Sequence, residues 1–558
     1  MGRRRGLAAV GVMAGLLAVL VGAAGAETPL VNVSQGPSPF APGCDKAAPE
    51  GTNYANSEVE VRVAVDPRNP AHAVGVWQQD RWSTGGAHGL VAATTGDGVH
   101  WARSFAHFSR CAGGTPANGG DYPRASDPWV DFAPNGDVYQ ASLSVNLTDV
   151  STGVMVSRSV DGGATWQEPV TLRRDKGSAF NDKESVTADP TDPAGRRVYV
   201  AWDRLEGIGL PAGDANPLPL VPEKGPAWFA RTVDGGASWE PARAIYDPGP
   251  GRQTIGNQVV VLPDGTLLDG FAVGGGAAER DADGGGGDPD AGGDPDRGPG
   301  LAPEPDPDAR PVGGAARPAA GTAGLTAGAA RPAAPTAPGL PALPGEPEAR
   351  TFTGFSAAVI RSTDHGATWS APVIIADMKT PENAAHFRAG QILPSFAVDP
   401  RSGTVAAVWL DGRFDAARQA GVALSTSADG GRTWTEPRRI NLSPAGVPAL
   451  LPSVAYAPDG TLGVSYYDLR NRKVGSAALT TDVWLATCAT DCGGAGQWGE
   501  THLGGPFDGS KAPDSGGFFL GDYQGLTGVG PGRFRAFFAE ADPGTKDDPT
   551  DVYSTEAG

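Results

Sequence analysis

The chain has 558 residues, 63 Asp and Glu against 44 Lys and Arg, and a formal charge of −19. A surface this acidic repels nucleic acid and anionic membranes, so neither is an expected partner. Glycine (82) and proline (51) are abundant and aromatic residues are only 7% of the chain, a balance that favours many short strands and turns over long helices.

The chain opens with Arg3, Arg4 and Arg5, an apolar run to Ala23, and then Ala24-Gly25-Ala26. A basic start, a short apolar core and small residues before the cut describe an export leader, so 1–26 is predicted to be removed and the protein secreted. No later apolar run is long enough to span a membrane. Four cysteines remain, Cys44, Cys111, Cys488 and Cys492. An even count in an exported chain predicts two disulfides. Cys488 and Cys492 share one Gly-rich loop and should pair, which leaves Cys44 with Cys111.

Two repeats run through the rest. The first is a strand opener ending in proline: Arg62-Val-Ala-Val-Asp-Pro67, then copies ending at Pro134, Pro190, Pro263, Pro400 and Pro458, and a weaker one, Gly525 to Gly530. Seven openers at a period of roughly 55–75 residues suit four-stranded blades of a β-propeller; six longer blades are the alternative count. The second repeat is the phrase Ser159-Val-Asp161-Gly-Gly163-Ala-Thr165-Trp166, which returns at 232–239, 362–369 and 427–434, with a worn copy at 94–101. Asp-Gly-Gly is hairpin-turn chemistry, the flanking hydroxyls can bond the turn, and the Trp supplies an apolar anchor. Each copy should therefore be an outer turn between antiparallel strands, with a structural and not a chemical role.

Residues 276–350 break the period. They are Gly, Ala, Pro, Asp and Arg with no aromatic residue, a composition that cannot bury a core and predicts a disordered insert. The organisation expected is leader 1–26, an N-terminal arm 27–57 that supplies a strand to the last blade, propeller 58–275, insert 276–350 and propeller 351–558. No cofactor is called for, although the acidic repeats at Asp281–Asp296 leave room for structural calcium. A monomer is expected.

The recurrent phrase resembles the Asp box, or BNR repeat, of the sialidase superfamily. That resemblance implies an all-β, sialidase-like propeller acting on extracellular glycans. It also implies three arginines for a substrate carboxylate, a Tyr nucleophile backed by a Glu, and an Asp acid, a departure from the usual pair of carboxylates. Arg62 followed by Asp80-Arg81 is similar to the first arginine and its acidic-x-Arg partner. Asp522-Tyr523-Gln-Gly-Leu526, before a strand ending at Glu540, is similar to the nucleophile segment. The middle departs from the pattern: Ile255-Gly256 stands where relatives carry Asn-Glu, Phe271 where they carry an Arg, and 82–88 lack the expected Asp. Glu184 and Asp127 are the residues available to replace the lost Glu and the acid.

Strand ends facing the mouth of the channel add Arg124, Arg252 and Arg388 as ligand candidates beside Arg62 and Arg81. The Asp-x-Arg pairs at 411–413 and 468–470 have a plainer reading, as salt bridges between blades. The expected site is thus Tyr523, Glu184 and Asp127 for chemistry and Arg62, Arg81, Arg124, Arg252 and Arg388 for binding, with a non-catalytic glycan- or protein-binding propeller as the alternative. Long surface insertions add little loop-closure entropy. Replacing 276–350 with a short Gly/Ser linker should therefore leave the melting temperature within a few degrees, measured by differential scanning calorimetry.

Overall fold

The computed structural model describes residues 2, 29–46, 51–146, 148–207, 222–275, 354–382, 385–473 and 475–558. The leader (apart from Gly2) and the insert 276–350 lie outside the described residues. The described chain is all-β, with two single-turn 3-10 helices, at Gly412–Phe414 and Gly509–Lys511.

A short strand β1 (Val31–Asn32) precedes the first antiparallel run, β2 (Glu58–Asp66), β3 (Asn69–Arg81), β4 (Ala87–Thr95) and β5 (Trp101–Ser104). The next run is β6 (Arg124–Phe132), β7 (Val138–Asn146), β8 (Ser151–Ser159) and β9 (Val170–Lys176), joined to the first by the single pair Ala87–Ala125. Then come β10 (Ala179–Ala188), β11 (Val198–Glu206), β12 (Ala227–Thr232) and β13 (Arg243–Tyr246), followed by β14 (Gln253–Val261), β15 (Leu267–Gly274), β16 (Ser356–Ser362) and β17 (Val373–Asp377). A two-residue strand β18 (Phe387–Arg388) pairs in parallel with a later segment. The second half holds β19 (Ser395–Val398), β20 (Val405–Asp411), β21 (Gly421–Ser427) and β22 (Arg438–Arg439), then β23 (Ala449–Tyr456), β24 (Leu462–Asp468), β25 (Thr480–Cys488) and β26 (Gly499–Asp508). The partner of β18 is β27 (Phe518–Phe519). Last are β28 (Gly525–Gly530), β29 (Arg533–Glu540) and β30 (Asp551–Ala557), with β1 pairing onto β30 to complete four strands.

The first strand of each run sits beside the first strand of the next: β2 by β6, then β10, β14, β19, β23 and β28, which returns to β2. These strands line one channel of about 470 Å³, from Arg62, Trp129 and Gln258 at its inner end to Pro67, Pro134 and Pro190 at the other. The second strands β7, β11 and β20 are buried along nearly their whole length, polar positions included. Trp77, Trp202 and Trp409 occupy matching places on second strands and are fully buried. A buried indole N–H needs an acceptor, and the three donate to Gln79 Oε1, Asn181 Oδ1 and Asp411 Oδ2 at 3.0, 2.9 and 2.8 Å.

The recurrent phrase forms the turn between third and fourth strands. In each full copy the hydroxyl of the first residue donates to the Asp and accepts the second glycine's N–H. The Asp accepts both the N–H and the hydroxyl of the later Thr or Ser, as in Ser159, Asp161, Gly163 and Thr165. The worn copy works with a shifted register: Thr95 takes the part of Ser159, and His100 replaces the later hydroxyl by pairing its ring with Asp97 at 2.7 Å. These bonds hold the Asp carboxyls below their ordinary range, at about 2 for Asp234, where the Ser238 hydroxyl contributes most. Each Trp packs backward onto the preceding sheet: Trp101 against Phe537, Trp166 Nε1 on Ser104 Oγ at 3.0 Å, and Trp369 against Phe229.

Both disulfides form, Cys44–Cys111 and Cys488–Cys492. Neighbouring sheets also approach through glycines. A Cβ on Gly75, Gly270 or Gly463 would fall 2.1, 2.5 or 2.6 Å from the ring of Phe537, Phe396 or Phe534 on the next sheet. Overpacking of this kind destabilises by about 1–3 kcal/mol. Gly463→Ala should lose stability in that range in urea titrations, whereas Gly530→Ala, with nothing within 4 Å, should change it far less.

Candidate functional site at the channel mouth

The side chains at the mouth are aimed by a repeated backbone irregularity. In β2, β6, β10, β14 and β23 the ladder skips between Val59 and Arg62, Ser126 and Trp129, Asp182 and Ser185, Ile255 and Gln258, and Leu450 and Ser453. The first residue of each bulge is left-handed: Glu60 (φ 56°), Asp127 (54°), Lys183 (48°), Gly256 (73°) and Leu451 (49°). For residues with a Cβ this conformation is disfavoured by about 1–2 kcal/mol, so packing around the mouth must hold it. The bulge turns the side chain out of the alternating in-out order, toward the space above the channel.

Three of these residues meet there. Lys183 Nζ lies 2.8 Å from Asp522 Oδ2 and 3.3 Å from both Glu60 Oε1 and Asp127 Oδ2, with its side chain 5% exposed. Arg388 Nη2 pairs with the same Asp522 oxygen at 2.7 Å. Burial works against Asp522 as a carboxylate, but Arg388 and Lys183 together hold it well below the usual range. Burial also disfavours the Lys183 ammonium, and Asp127, Asp522 and Glu60 overcome that and push it up. Glu60 is driven up to about 8 by burial, opposed by Lys183 and reinforced by Asp127 and Asp522.

The expected site residues divide into three groups. Tyr523, Glu184, Asp127 and Arg62 are brought to the mouth. Tyr523 and Glu184 line one small cavity of about 30 Å³ with Trp129, Lys183 and Asn257. The Tyr523 hydroxyl donates to the Pro128 carbonyl at 3.1 Å, not to a carboxylate, and burial and the nearby acids raise its pKa well above the ordinary value. Arg62 stacks on Trp129 at 3.6 Å and donates from Nη1 to the Gln524 carbonyl. Desolvation lowers its pKa to about 10. Arg388 and Arg81 flank Phe519, each 4.4 Å from its ring, and are engaged: Arg388 by Asp522 and the Ser515 carbonyl, Arg81 by Gln78 and Ser515 Oγ. Arg124 and Arg252 do not line the small cavity. Arg124 stacks on Trp82 and donates to Thr84 and the Gly85 carbonyl, and Arg252 is exposed beside Tyr246.

The Asp-x-Arg pairs close locally instead of between sheets: Arg413 folds back on Asp411, and Arg470 on Asp468. Arg204, which follows Asp203 directly, does reach a neighbouring sheet, pairing with Asp175.

Glu184 is the odd carboxyl of the mouth. It is 1% exposed and neither oxygen has a hydrogen-bond partner. Burial first, then Asp127 and Asp182, raise its pKa well above the carboxylate range. Asp203 Oδ2 and Asn257 Oδ1 are likewise buried acceptors without a donor, on neighbouring strands. A site with acceptors in excess is complementary to a ligand rich in O–H groups.

Glu60 and Lys183 are the site residues that alternation hides, because Glu58-Val-Glu60-Val-Arg62 reads as a plain two-faced strand. A signal was present: Glu60, Asp127, Lys183, Gly256 and Leu451 each stand seven residues before the proline of their opener, and Tyr523 stands seven before Gly530.

No family model and no curated protein matches the chain. Among solved structures it is similar to the Hadza microbial sialidase Hz136, at 14% identity over 91% of both chains and a TM-score of 0.42. A K499G mutant of NanB sialidase from Streptococcus pneumoniae aligns at 10% identity over 95% of this chain and 97% of that one, with a TM-score of 0.41. The α-L-arabinofuranosidase Arb93A from Fusarium graminearum aligns at 11% over 86% and 98%, with a TM-score of 0.40.

Removing one member of a buried ion network leaves its partners uncompensated, at about 3–5 kcal/mol. Lys183→Met should lower stability by that amount in urea unfolding. Glu60→Gln in the Lys183→Met background should recover part of the loss, because Glu60, unlike Asp522 with Arg388, loses its ion-pair partner when Lys183 goes.

Proposed function

We propose that the chain is a seven-bladed, sialidase-like propeller that is exported and acts as an exo-glycosidase on extracellular glycans at the mouth above Arg62 and Trp129. Seven first strands around one channel support the blade count, and the outer hydrogen-bonded turns support their reading as Asp boxes. The observation that carries the functional reading is the set of donor-hungry acceptors at the mouth, Glu184 above all, beside a tyrosine hydroxyl in the same cavity. Sugar hydroxyls are the donors such a set lacks.

In this reading Tyr523 is the nucleophile, and Glu184 takes its proton. Burial raises both groups above their ordinary values, so the Glu184 carboxylate needs a donor to stabilise it. A ligand hydroxyl donating to Glu184 stabilises its carboxylate form, any carboxyl proton leaving to solvent, and that carboxylate can then take the Tyr523 proton. Asp127 is the second carboxyl, on the bulge next to Trp129, and Arg62 is the cation for an anionic substrate group.

One observation favours a second reading, a glycan-binding propeller without catalysis. Arg388 and Arg81 are held by Asp522, Gln78 and Ser515, so a substrate carboxylate would meet Arg62 without the support of a full arginine set. The two readings separate in one pair of measurements. Hydrolysis of fluorogenic sialosides and arabinofuranosides by the mature chain should fall at least about 100-fold in Tyr523→Phe and Glu184→Gln if the site is catalytic. Glycan binding by calorimetry that survives both substitutions, with no hydrolysis in the parent protein, would establish the binding module.

A further inference from the structure

Away from the mouth, three carboxylates converge where the N-terminal arm, the first sheet and the last sheet meet. Glu58 opens β2, Asp551 opens β30, and Asp548 lies in the loop just before it. One oxygen from each lies within 4.8 Å of the others. Glu58 is fully buried, and its Oε2 has no hydrogen-bond partner; the other oxygen accepts from Gln79. No Lys or Arg forms an ion pair with any of the three among the described residues, unlike the mouth, where Lys183 and Arg388 balance the acids.

Neutral donors fix two of the carboxylates in place. Asn56 donates from Nδ2 to Asp548 Oδ1 at 2.9 Å, and its own Oδ1 is a buried acceptor with no donor. Asn32, on β1, bonds Asp551, and its Oδ1 is equally unpartnered. Ser34 Oγ donates to Asp551 Oδ1 at 2.7 Å and fixes that carboxylate in place. The donor set is all oxygen, which excludes a preference for the softer transition metals. Calcium accepts six to eight oxygens at about 2.3–2.6 Å, so two ligands on opposite sides of it stand about 4.8 Å apart. Magnesium demands shorter, regular contacts and keeps its water, which suits a preformed protein cage poorly.

We propose that Glu58, Asp548 and Asp551 form a calcium site that locks the first sheet to the last. Three carboxyls thus converge in a partly buried cluster that holds no Lys or Arg partner among the described residues. The ion offsets their charge and ties residues nearly five hundred positions apart in the chain. This site does not depend on the glycan reading, although Glu58 shares β2 with Glu60 and Arg62.

The test is thermal unfolding of the mature full-length chain in EDTA and in about 5 mM calcium chloride, with magnesium chloride as control. Binding only to the folded state raises the melting temperature. A rise of several degrees with calcium, and a much smaller one with magnesium, is expected. Asp548→Asn, at a partly exposed position that should still fold, and Glu58→Gln should each abolish the rise. Calorimetric titration of calcium into the parent and the Asp548→Asn protein should show one site lost. No calcium response in the parent, or one that persists unchanged in Asp548→Asn, as binding in the acidic insert would give, overturns the proposal.

Discussion

A buried ammonium is tolerated only where carboxylates surround it, and Lys183 obtains its carboxylates from three other sheets: Glu60 from the first, Asp127 from the second and Asp522 from the approach to the last. Much of the inner architecture serves that requirement. The bulges place Glu60, Asp127 and Lys183 at the same level, their left-handed backbones are held against an intrinsic penalty, and Arg388 supplies the second cation that Asp522 needs. The network ties first strands that share no ladder hydrogen bonds. Its rigidity also explains why the mouth separates into two chemistries. On one side charges are paired and unavailable; on the other, Glu184, Asp203 and Asn257 present oxygens that no protein donor reaches.

That division bears on the choice between catalysis and binding. Arginines free to grip a carboxylate would make the mouth attractive to acidic sugars, yet Arg388 and Arg81 are committed to protein partners. The surplus of acceptors instead selects for hydroxyls, and a hydroxyl-rich ligand is also what would shift Glu184 toward its ionised form. In the proposed glycosidase reading, recognition and activation would thus be the same event.

The outer parts of the molecule were legible in the sequence because their information is local. Asp161, Gly163 and Thr165 define a turn among themselves, and its hydrogen bonds follow from spacing alone. The worn copy near Trp101 was also visible, although its working register, Thr95 to Asp97, needed the structure. The site was less legible because its residues are placed by an irregularity. An alternating strand assigns Glu60 to one face, and only an extra residue in the ladder redirects it. Lys183 lies between Asp182 and Glu184, in a run that reads as solvated charge. Tyr523 was found by the phrase around it, but its bond to the Pro128 carbonyl depends on a chain segment almost four hundred residues away. Arg413 and Arg470 misled in the other direction: each closes its ion pair within its own motif, and Arg413 meets the neighbouring sheet at the Asp377 carbonyl rather than at a carboxylate.

The backward packing of the turn tryptophans gives the ring a direction. Trp166, Trp239, Trp369 and Trp434 each find their partners on a sheet already synthesised. Trp101 does not; its partner is Phe537, and β1 likewise waits for β30. During synthesis the middle sheets can dock in the order they emerge, while the first keeps an indole and an open strand edge exposed until the last residues arrive. Contacts this distant in sequence are slow to form. The earliest part of the chain to be made is therefore the last to be finished, and a chain stalled short of Phe537 would carry one sticky flank at its front and another at its growing end.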